Sequence, residues 1–157
     1  MSHFAERRKT FSRKGTERGA SLVEFALIAP LFILFIYAVA VFGIVLSTKN
    51  SITHAATEGA RSALSVPDLP PDPTYAAAKT QAITTARNSL TATLGSHYHP
   101  SDVSANVAGC DSPADTHKCI TVTIAYPWHS DPIVPLAPGM GLATPDTIRA
   151  TAVVRLN

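Results

Sequence analysis

Cys110 and Cys119, the chain's two cysteines, are separated by eight residues that include Asp111, Pro113, Asp115 and His117. Two chemistries suit such a pair. In an oxidising compartment it closes a disulfide loop. With His117 it offers three metal-binding side chains, but the paired Cys-x2-Cys spacing of structural zinc sites is missing. The disulfide is the favoured reading, because this segment is expected on the outer side of a membrane. The chain also holds six histidines, with His97-Tyr98-His99 the densest group and His129 more distant. On a strand, His97 and His99 would share a face and could bind a metal. Gly95 and Pro100 flank them, however, and argue for a solvated turn. A nucleophile elbow, a phosphate-cradling glycine loop and the helix pattern of zinc proteases are all missing. The sequence therefore points away from an enzyme and implies no metal and no cofactor. A membrane-tethered metal-dependent hydrolase using the scattered histidines is a third reading of the sequence.

A different pattern lies at the head of an apolar stretch. In Arg18-Gly19-Ala20-Ser21-Leu22-Val23-Glu24-Phe25 a glycine closes a basic segment and a carboxylate follows five positions later. Residues 1–19 hold Arg7, Arg8, Lys9, Arg13, Lys14 and Arg18 against Glu6 and Glu17. Glu24 stands just inside the apolar run. Insertion scales place a carboxylate at a membrane helix centre at about 2.5 to 3.5 kcal/mol, and less toward the interface. A helix N-terminus offsets part of this, since its dipole favours negative charge. Even so, the residue asks for a purpose.

The element that must position Glu24 is the run over residues 25–46, about 22 residues without a charge and roughly 33 Å of helix at 1.5 Å per residue. That length crosses a hydrocarbon core of about 30 Å. Leu, Ile, Val, Phe and Ala occupy it on all sides, so lipid is its natural surrounding. Pro30 removes one backbone donor and predicts a mild kink, which membrane helices tolerate. A cleavable secretory signal has an apolar core of about 7 to 15 residues, shorter than this one. The helical pattern also continues through residues 47–65, so the reading is a retained anchor. The basic leader, residues 1–19, then faces the cytoplasm and everything after about Ser47 lies outside. A basic tail beside a span reports orientation, and no nucleic-acid partner is expected.

The Gly19-to-Glu24 spacing after a basic leader resembles the processing signal of type IV prepilins. More closely, Gly19-Ala20-Ser21-Leu22-Val23-Glu24-Phe25-Ala26-Leu27 followed by Pro30 resembles the TadE-like family of pseudopilins of tight-adherence (Flp) pilus systems. The resemblance implies that a prepilin peptidase cuts after Gly19, that Ala20 becomes the new N-terminus, and that Glu24 and Phe25 head the helix used in assembly. It also implies TadF-like or TadG-like subunits, the major Flp pilin and the membrane assembly platform as partners, beside the lipid bilayer. The alternative is an uncleaved single-pass anchor that carries a binding module for envelope or secretion partners.

Beyond the span, Ile52, Ala55, Ala56, Gly59, Ala60, Ala63 and Leu64 share one face of an amphipathic extension over residues 47–66. Its small residues admit close approach of the domain's own elements or of a partner helix. Four prolines over residues 67–73 make a connector. A second helix is predicted from Asp72 as N-cap, with Pro73 first, to Leu94 before Gly95. Its inner face is Tyr75, Ala78, Ala82, Ile83, Ala86, Leu90 and Leu94. The period then changes to two. Strands are expected over 119–126 and 147–156, with a weaker one over 102–108. The Pro-rich loop 127–145 carries Trp128, Ile133, Val134, Leu136 and Met140, which either close one end of the sheet or face a partner. The expected class is α+β: a transmembrane helix over 20–46, its extension, a second helix and a small antiparallel sheet of about three strands within residues 67–157.

Overall fold

The computed structural model describes residues 16–66, 75–97, 99, 102–112, 116–137 and 140–156. Within them the order is a long helix α1 (Thr16–Ser62), a second helix α2 (Ala76–Leu94), and strands β1 (Val103–Gly109), β2 (Lys118–Tyr126) and β3 (Ile148–Leu156). Short 3-10 turns follow α1 at Ala63–Ser65 and α2 at Gly95–His97. The fold is α+β, as expected. The chain divides into two compact units, Met1–Val39 and Ala40–Asn157.

The first unit contains the apolar part of α1. Between Gly19 and Ala40, side chains are exposed or half-exposed, with Leu22 at 69%, Phe25 at 70% and Leu27 at 76%. An 18-residue window in this helix reaches a mean hydropathy of 2.7. A helix this apolar and this uncovered satisfies its own backbone hydrogen bonds and leaves its side chains for a nonpolar solvent. Pro30 lies inside it.

The second unit holds the core. Val41 is 1% exposed, so burial begins one turn and more before the end of the apolar run at Leu46. The predicted span 20–46 therefore splits into an uncovered part and a last stretch in which Val41 is buried, Val45 joins the domain's core and Ile44 packs against it. The extension packs by the predicted face: Ile52, Ala55, Ala56, Gly59, Ala60 and Ala63 are buried. Leu64 departs from it and is half-exposed, because the α-helix ends at Ser62 and the chain tightens into a 3-10 turn. That change of pitch rotates residue 64 off the stripe.

Helix α2 buries Ala78, Ala82, Ala86 and Leu90, with Tyr75, Ile83 and Leu94 packed at the margin. The small stripe on α1 meets the alanines of α2. A Cβ built on Gly59 would lie 2.8 Å from the Ala82 carbonyl oxygen and 2.9 Å from Ala86 Cβ. The stripe's partner is thus the domain's own second helix. Asp72 and Pro73, expected to open α2, lie outside the described residues. The described helix begins at Ala76, with Tyr75 as N-cap at φ 51° and ψ 36°. Its Tyr75 carbonyl accepts from the Lys79 amide at 3.0 Å. Gly95 ends α2 as predicted, at φ 58°, with its N–H donated to the Thr91 carbonyl. Glycine reaches such a φ without the steric penalty of a Cβ.

The sheet has the order β1-β2-β3, antiparallel throughout. The first strand runs from Val103 to Gly109, one residue later than expected. Alternation sends Ile120, Val122, Ile124 and Tyr126 inward from β2 and Ile148, Ala150, Ala152 and Leu156 inward from β3. The outer face carries Thr121, Thr123, Thr151, Val153, Arg149 and Arg155, all partly or well exposed. Trp128, in the loop after β2, is fully buried and closes one end of the core. Ile133 and Val134 pack against it from the margin, so this part of the Pro-rich loop serves the domain.

Candidate functional site

The head of α1 is built by helix geometry alone. Gly19, Ala20, Glu24 and Phe25 are all helical and exposed. An added Cβ at Gly19 meets nothing within 4 Å, so its backbone is open on the side where other residues carry a chain. Ala20 and Glu24 are four apart, which places them one above the other on a single helix face. A cationic group at position 20 could therefore reach the Glu24 carboxylate. Phe25, Leu22 and Val23 surround this head with uncovered apolar surface. The arrangement binds nothing within the described chain. Its chemistry is that of an exposed carboxylate near the head of an apolar helix, five positions after a glycine that closes a basic segment.

The two cysteines form a disulfide with S–S 2.02 Å and Cα–Cα 4.9 Å. It spans the β1–β2 hairpin, where the Cys110 amide donates to the His117 carbonyl at 3.0 Å and Ala108 sits opposite Cys119. Both cysteines project from the outer face. Among the described residues, no group of three or more His, Cys, Asp and Glu side chains is arranged to hold a metal ion.

His97 and His99 do come together, though on a carboxylate. His97 Nδ1 lies 3.6 Å from Asp131 Oδ1 and His99 Nε2 3.3 Å from Asp131 Oδ2. Asp102 also accepts from the His99 amide at 3.3 Å. His129 is elsewhere, 3.8 Å from Asp146. The same loop is pinned by Tyr126, whose hydroxyl donates to the Asp131 carbonyl at 2.7 Å. Burial, with the nearby charges of Asp131 and then Asp102 adding to it, pushes the Tyr126 phenol up to about 12. This phenol stays neutral and serves as a fixed donor. Sequence reasoning missed the Tyr126–Asp131 link. The only available signal was a tyrosine at the inward end of an alternating strand followed by Pro127 and an aspartate.

One exposed apolar helix of spanning length, heading a small α+β domain with a disulfide, defines a class of proteins compatible with a single-pass membrane anchor. Within that class, residues 19–61 match the family model described as TadE-like protein. The match covers residues 19–61 alone, and this stretch is similar to the TadE-like family. No curated protein and no solved structure matches the chain.

Proposed function

We propose that this protein is a non-catalytic, pseudopilin-like subunit for assembly of a Tad/Flp-type pilus. The observation that supports it most is the placement of Glu24 five positions after Gly19, at the head of an apolar helix uncovered through Ala40, inside the TadE-like stretch. A prepilin peptidase cuts after Gly19 on the cytoplasmic side of the inner membrane. Removal of residues 1–19 creates an α-amine on Ala20, with an unperturbed pKa of about 7.7 to 8.0 and therefore mostly cationic at neutral pH. That amine pairs with Glu24 of the same chain or of a neighbouring subunit. Pairing offsets the penalty of a carboxylate near the bilayer. The disulfide-linked domain stands on the periplasmic side, where oxidation persists. Its partners are TadF-like or TadG-like subunits, the major pilin and the membrane platform.

Intact-mass measurement of the protein from cells that express the peptidase tests this directly. The expected mass lacks residues 1–19, and Gly19→Ala restores them. The open space around Gly19 makes that variant structurally harmless. Normal pilus production from a chain that keeps its first nineteen residues would favour the uncleaved anchor instead.

A further inference from the structure

The sheet has two edges, and the one formed by β3 carries a distinctive combination of hydrogen-bonding groups and charge. In an antiparallel pair, residues whose N–H and C=O face the neighbour alternate with residues whose groups face away. Cys110 is bonded to His117 across the hairpin, so the odd-numbered residues of β2 face β1 and its even-numbered residues face β3. The register pairs Val122 with Ala152 and Ile124 with Ala150. The even residues of β3 therefore bond to β2, and Arg149, Thr151, Val153 and Arg155 point their backbone groups outward. Lys49 confirms this phase independently, because its ammonium donates to the Arg149 carbonyl. Lys49 closes the edge there. Beyond it, no hydrogen bond reaches the outward groups of Thr151 or Val153 among the described residues.

These four residues also share the outer face, where all are exposed, Val153 at 59%. Edge strands normally carry a proline, a bulge or an inward charge that blocks pairing. Between Thr151 and Arg155 there is none. Arg155 reaches His117 Nδ1 at 2.7 Å through one nitrogen, which leaves other guanidinium donors in place. Among the described residues, neither Arg149 nor Arg155 is paired with a carboxylate. A second copy of this strand is a poor occupant, since full antiparallel overlap sets Arg149 against Arg155 at both ends. Like charges directly opposite are destabilising.

We infer that the Thr151–Arg155 edge of β3 accepts an extended strand from a different polypeptide, one with carboxylates opposite Arg149 and Arg155. Main-chain bonds to Thr151 and Val153 supply affinity, and the two arginines set partner choice and register. This proposal does not depend on leader processing or on the pilus reading.

The test uses the full chain in detergent micelles and a nine-residue peptide of threonine with glutamate, valine, valine and glutamate at its even positions. A matched peptide has lysine in place of glutamate. The glutamate peptide should slow amide exchange at Thr151 and Val153, and the lysine peptide should bind roughly tenfold more weakly, as expected when two opposite-charge pairs become like-charge pairs. Val153→Pro removes one outward donor without touching the ladder to β2, and should abolish binding. The double change Arg149→Glu and Arg155→Glu, which leaves the backbone alone, should reverse the preference between peptides. Unchanged exchange at Thr151 and Val153 overturns the proposal. So does equal binding of the two peptides, or binding that persists unaltered in the charge-reversed protein.

Discussion

The Cβ that Gly59 lacks would stand 2.8 Å from the backbone carbonyl of Ala82. A backbone oxygen cannot rotate away as a flexible side chain can, so α1 and α2 approach this closely only because position 59 is glycine. Gly59→Ala gains about 1 kcal/mol in helix propensity. It also forces the helices apart, at a cost of roughly 1 to 3 kcal/mol. The net expectation is a lower denaturant midpoint for the full chain. Gly43→Ala is the contrast, because nothing lies within 4 Å there, and it should be neutral or stabilising.

The disulfide closes a short hairpin loop, and the unfolded chain gains freedom when it is removed. For a loop of about ten residues the loss is on the order of 2 to 3 kcal/mol. Cys110→Ser and Cys119→Ser should each show it by chemical denaturation. Reducing agent should bring the parent protein to the same stability and leave either variant unchanged.

Tyr126 ties the end of β2 to the loop at Asp131. Tyr126→Phe keeps the ring and deletes the hydroxyl that donates to the Asp131 carbonyl, with an expected cost of about 0.5 to 1.5 kcal/mol. The phenol is held up at about 12 in the folded state, against about 10 in an unfolded chain. Between these two values the unfolded state binds fewer protons, so stability falls as pH rises from 10 to 12 and is unaffected by this group below 10. Alkaline unfolding curves should show that slope in the parent and lose it in Tyr126→Phe.

Glu24 is exposed and touches nothing that holds the domain together. Glu24→Ala should leave both folding and removal of residues 1–19 intact while reducing incorporation into the pilus assembly. Mass spectrometry of the processed chain and quantitation of assembled pili separate the two effects. Equal pilus yield from parent and variant would remove the role assigned to this carboxylate.

Local pattern was enough for much of this protein. An uninterrupted apolar run can only be covered by a nonpolar surrounding, so the helix over residues 25–46 followed from composition. Period 3.6 placed Ala78, Ala82, Ala86 and Leu90 on one face of α2, and period two did the same for the inward residues of β2 and β3. Gly95 marked the end of α2 because a positive φ, 58° there, suits a residue without a Cβ. The Gly19-to-Glu24 spacing was visible for the same reason: it lies within one helix, where separation in sequence fixes separation in space.

Tertiary structure decided what each face meets. The small stripe from Ile52 to Ala63 fitted a partner helix as well as the domain, and only the approach of Ala82 and Ala86 made it internal. Val41 reads as membrane residue from its neighbours, yet burial within the second unit claims it. His97 and His99 converge on Asp131, and Tyr126 reaches the same residue, through a loop whose path no periodicity describes. Periodicity reports the direction in which a side chain leaves its own element. It carries no information about which distant segment arrives there, because that depends on the summed packing of all the elements at once.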